Sequence, residues 1–232
     1  MNARTEMNIR TDRFPGGALI KMERRVFVLD DDQSVRTSLV NLLDSEGFSV
    51  EDFSSASEYL ARQPFPGPSC LVLDVQLPGL DGFTLHKHLM QRGRLEEIIF
   101  ITGHGDIAMG VRAMKNGAVD FLPKPFSDEA LLQAVLQALA RSAQNWQARE
   151  GTARIRARLA TLTPREYEVF KLVIAGLLNK QIAAELGAAI RTIKTHRGRV
   201  MHKLGVASVA DLVRLAQRTD INPVQRSWEA WL

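Results

Sequence analysis

Four apolar runs in the chain end in a residue able to do chemistry. Val26 to Leu29 leads into Asp30-Asp31-Asp32, Cys70 to Leu73 into Asp74, Ile98 to Ile101 into Thr102, and Val119 to Leu122 through Pro123 into Lys124-Pro125. Carboxylates gathered at one place repel, and a proton is forced onto one of them unless a cation sits among them. Magnesium suits such a set, because it takes oxygen ligands, keeps several waters and uses one or two carboxylates alongside phosphate oxygens. With the metal and Lys124 neutralising charge, the Asp74 carboxylate could attack a phosphoryl donor, a reaction governed by positioning and electrostatics. Thr102 would offer its hydroxyl to a phosphoryl oxygen. Singly these residues say little: an aspartate ahead of a helix is commonly its N-cap, and Asp32 before Gln33 is read as that cap.

Such a constellation needs a scaffold that brings the ends of separate runs together. From residue 26 to about 140, short apolar runs, with a weaker one around Phe48 to Phe53, alternate with segments of helical period at about 34–46, 56–62, 82–91, 106–116 and 127–144. That alternation is the sequence form of an α/β doubly wound, five-stranded parallel sheet. Such sheets bind ligands past the carboxyl ends of their strands. In the order 2-1-3-4-5 the first and third strands are neighbours about 4.8 Å apart, which brings Asp31 to Asp74.

At 232 residues there is room for two cores, and the two parts of the chain differ in charge. Residues 21–140 carry 11 Lys and Arg against 17 Asp and Glu, a net of −6, whereas residues 152–232 carry 14 against 6, a net of +8. The acidic part suits a divalent cation and the basic part a polyanion such as DNA. An apolar share of 45% without a run near the roughly 18 residues of a membrane span predicts a cytoplasmic protein with no membrane partner. Cys70 is the only cysteine, which excludes an internal disulfide and a cysteine-based metal site, and it reads as a core residue. The division expected is a flexible extension over 1–21, a phosphoacceptor domain over 22–140, a partly helical linker over 141–161, an all-α domain over 162–220, and a tail over 221–232.

In the basic part, Thr163-Pro164-Arg165-Glu166 carries a Thr cap, Pro at the first helical position and a Glu reaching back. A second helix from Lys180 to Leu186 is expected behind an Asn179 cap. A third, from Ile190 to Leu204, buries Ile193, Val200 and Leu204. Its other faces hold Arg191, Thr192, Lys194, Thr195, His196, Arg197, Arg199, His202 and Lys203, and residues 188–210 contain no acid. Two helices, a tight connection and a third helix with a basic face form a helix-turn-helix that places the third in the major groove.

These blocks resemble known families. Val-Phe-Val-Leu-Asp-Asp-Asp, Leu-Val-Leu-Asp-Val-Gln-Leu-Pro-Gly-Leu-Asp-Gly, Phe-Ile-Thr-Gly-His-Gly-Asp and Phe-Leu-Pro-Lys-Pro-Phe are similar to the receiver domains of bacterial two-component response regulators, the last two blocks to the FixJ subgroup. That resemblance spans about residues 24–140. It implies that Asp30 and Asp31 form an acidic pocket, that Asp74 accepts the phosphoryl group, and that Asp31 and the Gln76 backbone carbonyl bind Mg2+. It also implies Lys124 as the family lysine, Thr102 and Phe121 as a switch pair, and a cis bond between Lys124 and Pro125. Leu-Thr-Pro-Arg-Glu, Gly-Leu-Leu-Asn-Lys-Gln-Ile-Ala and Thr-Ile-Lys-Thr-His-Arg resemble the LuxR-type domain over about 160–220. This second resemblance implies base-edge contacts from Lys194 and Thr195, and phosphate contacts from neighbours such as Thr192, His196, Arg197, Arg199 and Lys203. Two positions depart from it: Ala189 stands where a capping Ser is usual, costing about 1 kcal/mol, and Gly198 supplies no side chain at the third base-contact position.

The reading is a regulator phosphorylated on Asp74 by a separate sensor histidine kinase. It would then bind double-stranded promoter DNA as a phosphorylation-promoted homodimer, where RNA polymerase is a further partner it could meet. Two rivals stand beside it. Haloacid dehalogenase-type phosphatases also use a metal and an Asp nucleophile but need a second Asp two residues on, where this chain has Gln76. A constitutive DNA-binding protein would carry the first domain only as an interaction module.

Overall fold

The computed structural model describes residues 23–103 and 107–224. The expected extension over 1–21, Asp106 at the start of the fourth helix, and Trp228 and Trp231 of the tail lie outside the described residues. The chain divides into two compact units at Trp146 and Gln147.

In the first unit β1 (Arg25–Leu29), β2 (Ser49–Phe53), β3 (Ser69–Asp74), β4 (Glu97–Thr102) and β5 (Asp120–Pro123) form one parallel sheet in the order β2-β1-β3-β4-β5. β1, β3 and β4 have apolar cores because helices cover both faces, whereas the edge strand β2 carries Glu51 and Asp52, and successive side chains point to opposite layers. Val26, Val28, Cys70, Val72, Ile99 and Ile101 share one core with Leu39 and Leu43 of α1 (Gln33–Ser45) and Leu131, Val135 and Leu139 of α5 (Asp128–Leu159). Phe27, Leu29, Leu71, Leu73, Ile98 and Phe100 face the other way. There they meet Tyr59 of α2 (Ala56–Ala61), Leu85 and Leu89 of α3 (Gly82–Gln91) and Ala113 of α4 (Ile107–Lys115). Cys70 is wholly buried, and burial raises its thiol pKa, as a core residue requires.

The 141–161 segment, expected as a partly helical linker, begins inside α5. α5 continues unbroken to Leu159, and its end is part of the second unit. Ile155 and Leu159 pack on the core made by α6 (Pro164–Ile174), α7 (Asn179–Glu185), α8 (Ile190–Leu204) and α9 (Val209–Arg218). Arg158 Nη1 donates to Leu204 O at 3.1 Å. Sparse apolar residues suffice there because only one stripe of the helix meets the core. α9 begins with Ser208 bonded to Asp211 N while Asp211 reaches back to Ser208 N, a capping box that Ser-x-x-Asp spells in the sequence. Among the described residues no helix is long and apolar enough to cross a membrane.

Candidate functional site

Register decides which strand ends meet. Leu29 lies opposite Leu73, so Asp30 and Asp74 leave β1 and β3 side by side, and Thr102 lies opposite Pro123, so Lys124 follows at the same edge. Carboxylate oxygens of Asp30, Asp31 and Asp74 all fall within 4.8 Å of one another. Lys124 Nζ donates to Asp30 Oδ2 at 2.6 Å and to Asp74 Oδ2 at 2.8 Å. The remaining oxygens of the two carboxylates accept from backbone: Asp30 Oδ1 from Asp32 N and Asp74 Oδ1 from Gln76 N, each at 2.9 Å. Asp30 and Asp74 are buried while Asp31 is exposed at the mouth.

Burial pushes the Asp74 carboxyl above its ordinary value, with the Asp30 charge adding to it, against the opposing bonds from Lys124 and Gln76 N–H. Burial also disfavours charge on Lys124, yet its bonds to Asp30 and Asp74 outweigh that and hold its ammonium above the usual lysine range. The donor set is all oxygen, clustered, net negative and open on the Asp31 side, which fits a hard divalent cation such as Mg2+.

The surrounding turns are built to hold this edge. Asp32 caps α1, accepting from Ser34 N at 2.8 Å, and Asp81 caps α3 in the same way through Phe83 N and Thr84 N. Gly82 opens α3 directly against the acceptor strand: a Cβ there would stand 2.5 Å from Asp74 O, so no other residue fits without moving backbone. Lys124 N donates to Thr102 O at 2.7 Å, and the Lys124–Pro125 peptide is cis. Thr102 is fully buried. Phe121 is half-buried, its ring 3.3 Å from where a Cβ on Gly110 of α4 would sit.

In the second unit α6, α7 and α8 pack around Phe170, Ile182, Ile193 and Val200. Arg191, Thr192, Lys194, Thr195 and Arg199 are exposed on α8, while His196 and Arg197 are half-buried. Ala189 ends the turn into α8 with no side-chain cap, as expected, and a Cβ on Gly198 would meet nothing within 4 Å. One expectation changes. The residue that precedes α7 is Leu178, whose N–H is capped by Gln181 Oε1 at 2.8 Å. Asn179 lies inside the helix, and its Oδ1 accepts from Arg197 Nη1 at 3.1 Å. Lys203, expected at a phosphate, donates within the domain to Glu166 Oε2 at 2.6 Å and Thr161 O at 2.9 Å. The Lys203 bond, then the Thr163 N–H, bring the buried Glu166 carboxyl down to about 2.

Residues 26–136 match the response regulator receiver domain family, and residues 160–216 match the luxR family of bacterial regulatory proteins. Nodulation protein W of Bradyrhizobium diazoefficiens is 50% identical over 197 residues, covering 85% of this chain and 87% of that protein. The chain belongs to the two-component response regulators. The transcriptional regulatory protein FixJ of the same organism is 45% identical, over 83% of this response regulator and 94% of its own length. The solved structure of the response regulator StyR superposes with a TM-score of 0.77 at 49% identity, covering 84% of this chain and 99% of that one. This response regulator is therefore a transcription regulator with a receiver domain and a LuxR-type DNA-binding domain, and its architecture implies a histidine kinase and DNA as partners.

Two features of this response regulator escaped sequence reasoning. Arg36 Nη1 donates to Asp30 O at 2.8 Å and Asp31 O at 3.0 Å. The Glu166–Lys203 pair joins residues 37 apart. For Arg36 the signal was its place five residues after Asp31, one turn into α1. For the pair there was none beyond the capping box itself.

Proposed function

We propose that a sensor histidine kinase phosphorylates Asp74 in a magnesium-dependent reaction and that the phosphorylated protein regulates transcription from promoter DNA. The observation that carries this reading is the Asp74 carboxylate, held by Lys124 and Gln76 N–H beside Asp30 and Asp31 at the open edge of the sheet. A carboxylate oxygen of Asp74 attacks the phosphorus of a phosphohistidine, the P–N bond breaks, and the freed imidazole nitrogen takes up a proton. Mg2+, held by Asp30, Asp31, Asp74 and the Gln76 carbonyl, would offset charge on the carboxylates and phosphoryl oxygens. Lys124 pairs with the acyl phosphate as it now pairs with the carboxylate, and the Thr102 hydroxyl bonds a phosphoryl oxygen.

Thr102 and Phe121 then act as the switch. Drawing Thr102 toward the phosphoryl oxygens opens room for the Phe121 ring, whose present seat against Gly110 ties it to α4. That helix presents Ile107, Val111 and Met114 at spacings of four and three, 88%, 47% and 50% exposed. An apolar stripe of this kind supports a two-fold dimer, whose two α8 helices would meet half-sites about one DNA turn apart. On DNA, Lys194 and Thr195 read base edges while Arg191, Thr192, His196, Arg197 and Arg199 contact phosphates.

The test is phosphate incorporation from a labelled kinase or acetyl phosphate, with and without a magnesium chelator. Asp74→Asn loses all hydroxylamine-labile label, and the chelator suppresses it in the parent protein. Wild-type labelling of Asp74→Asn would overturn the assignment, and a steady release of phosphate from small phosphoesters would favour the phosphatase reading.

A further inference from the structure

We propose that Arg36 is a positioning residue for the metal site, acting through the backbone of the acidic loop. The inference rests on the magnesium-dependent phosphorylation proposed above and names a residue on which it depends. Asp31 is the exposed member of the carboxylate set, and among the described residues its carboxylate accepts no hydrogen bond. Asp30 is held at both carboxylate oxygens, by Lys124 and by Asp32 N. Asp31 has no such restraint, so the positions its carboxylate can reach are fixed by where its backbone is held.

That backbone is gripped by Arg36. Its Nη1 donates one hydrogen to Asp30 O at 2.8 Å and the other to Asp31 O at 3.0 Å, while Nε reaches Asp52 Oδ2 at 3.3 Å. Side chains on a helix lean toward its N-terminus, so a residue one turn into α1 returns over the loop that precedes it. The placement has a cost. A cation in the first turn of a helix opposes the macrodipole by about 0.3–1 kcal/mol, and the Arg36 side chain is only 13% exposed. Asp52, at the end of β2, offsets that charge and orients the guanidinium. The result is a latch running from β2 through α1 to the carbonyls of the two acidic-pocket residues.

Coulomb attraction and positioning predict opposite signs here. Removing a positive charge close to a cation site should by itself tighten Mg2+ binding. Releasing the loop should weaken it, as loss of a group that orients metal ligands commonly does by about 10- to 100-fold.

The experiment is calorimetric titration of the full-length protein with Mg2+, together with the magnesium dependence of Asp74 phosphorylation, for the parent, Arg36→Gln and Asp52→Asn. Circular dichroism establishes folding in each. Arg36→Gln is expected to raise the Mg2+ dissociation constant about tenfold, with the phosphorylation rate restored at saturating magnesium. Asp52→Asn, which keeps the arginine but frees its Nε, moves the constant in the same direction by less. A folded Arg36→Gln that binds Mg2+ as well as the parent or more tightly overturns the proposal, as does a lowered rate that saturating magnesium leaves unrestored. Should Arg36→Gln fail to fold, Arg36→Lys, which keeps the charge but loses the guanidinium fork, decides: a raised dissociation constant supports the proposal and an unchanged one overturns it. A parent protein that neither binds Mg2+ nor accepts phosphate on Asp74 would instead refute the underlying site reading.

Discussion

The Glu166–Lys203 pair allows a stability effect to be worked through in numbers. Glu166 caps its own helix, accepting from Thr163 N at 2.9 Å, and holds Lys203 near the C-terminal end of α8. Its carboxyl falls from an ordinary 4.5 to about 2 on folding, through the Lys203 bond first and the Thr163 N–H second. Each tenfold step in an acid constant corresponds to about 1.36 kcal/mol, so the fall represents at most about 3 kcal/mol. Water reaches Lys203, whose side chain is 31% exposed, and screening brings the expected value nearer to about 2 kcal/mol. The sign follows from the depressed folded value: the contribution is complete above about pH 4.5 and disappears as pH falls through about 2. Glu166→Gln removes it. Urea unfolding of the full-length protein, followed at the Ile193 and Val200 methyl resonances, should show the variant less stable by about 2 kcal/mol at pH 7. The difference between the two proteins should shrink steadily below pH 4.5. Taking the difference cancels other acids of this unit, such as Asp211, whose carboxyl is also lowered by its bond from Ser208. Parallel stability curves from pH 6 to pH 2.5, or a Glu166 carboxyl carbon titrating near its ordinary value, would refute the reasoning.

Three further outcomes are expected. Arg199→Ala should reduce the slope of log DNA affinity against log salt by about 0.9, whereas Lys203→Ala, already paired inside the domain, should leave that slope unchanged; an equal drop in both would show that Lys203 leaves Glu166 for a phosphate. Gly198→Ala should stabilise the second unit by up to about 1 kcal/mol, since α8 is open at that point, and a lower melting temperature would count against it. Gly82→Ala should depress both stability and phosphate incorporation, because its methyl group would meet Asp74 O, and normal labelling would show that the acceptor loop yields without harm.

The sheet and the gathering of its strand ends were legible because a parallel sheet covered on both faces must use apolar runs, and the first polar residue after each run emerges at one edge. Asp30, Asp74, Thr102 and Lys124 needed only strand order and direction to come together. The helix-turn-helix was legible for a similar local reason, since Thr163-Pro164-Arg165-Glu166 and the basic run from Arg191 to Lys203 concern residues within a few turns of one another. Tertiary structure decided where the long side chains ended. Arg36 spends its hydrogens on two carbonyls, Asn179 gives its carbonyl to Arg197, and Lys203 turns to Glu166 in place of solvent. It also decided that α5 runs on to Leu159, because Ile155 and Leu159 find a core that their neighbours in sequence do not reveal. Apolar periodicity reports which face of an element is buried. A hydrogen bond from a flexible cation to a backbone oxygen or a distant carboxylate leaves no periodic trace, and only the packed chain brings its two ends together.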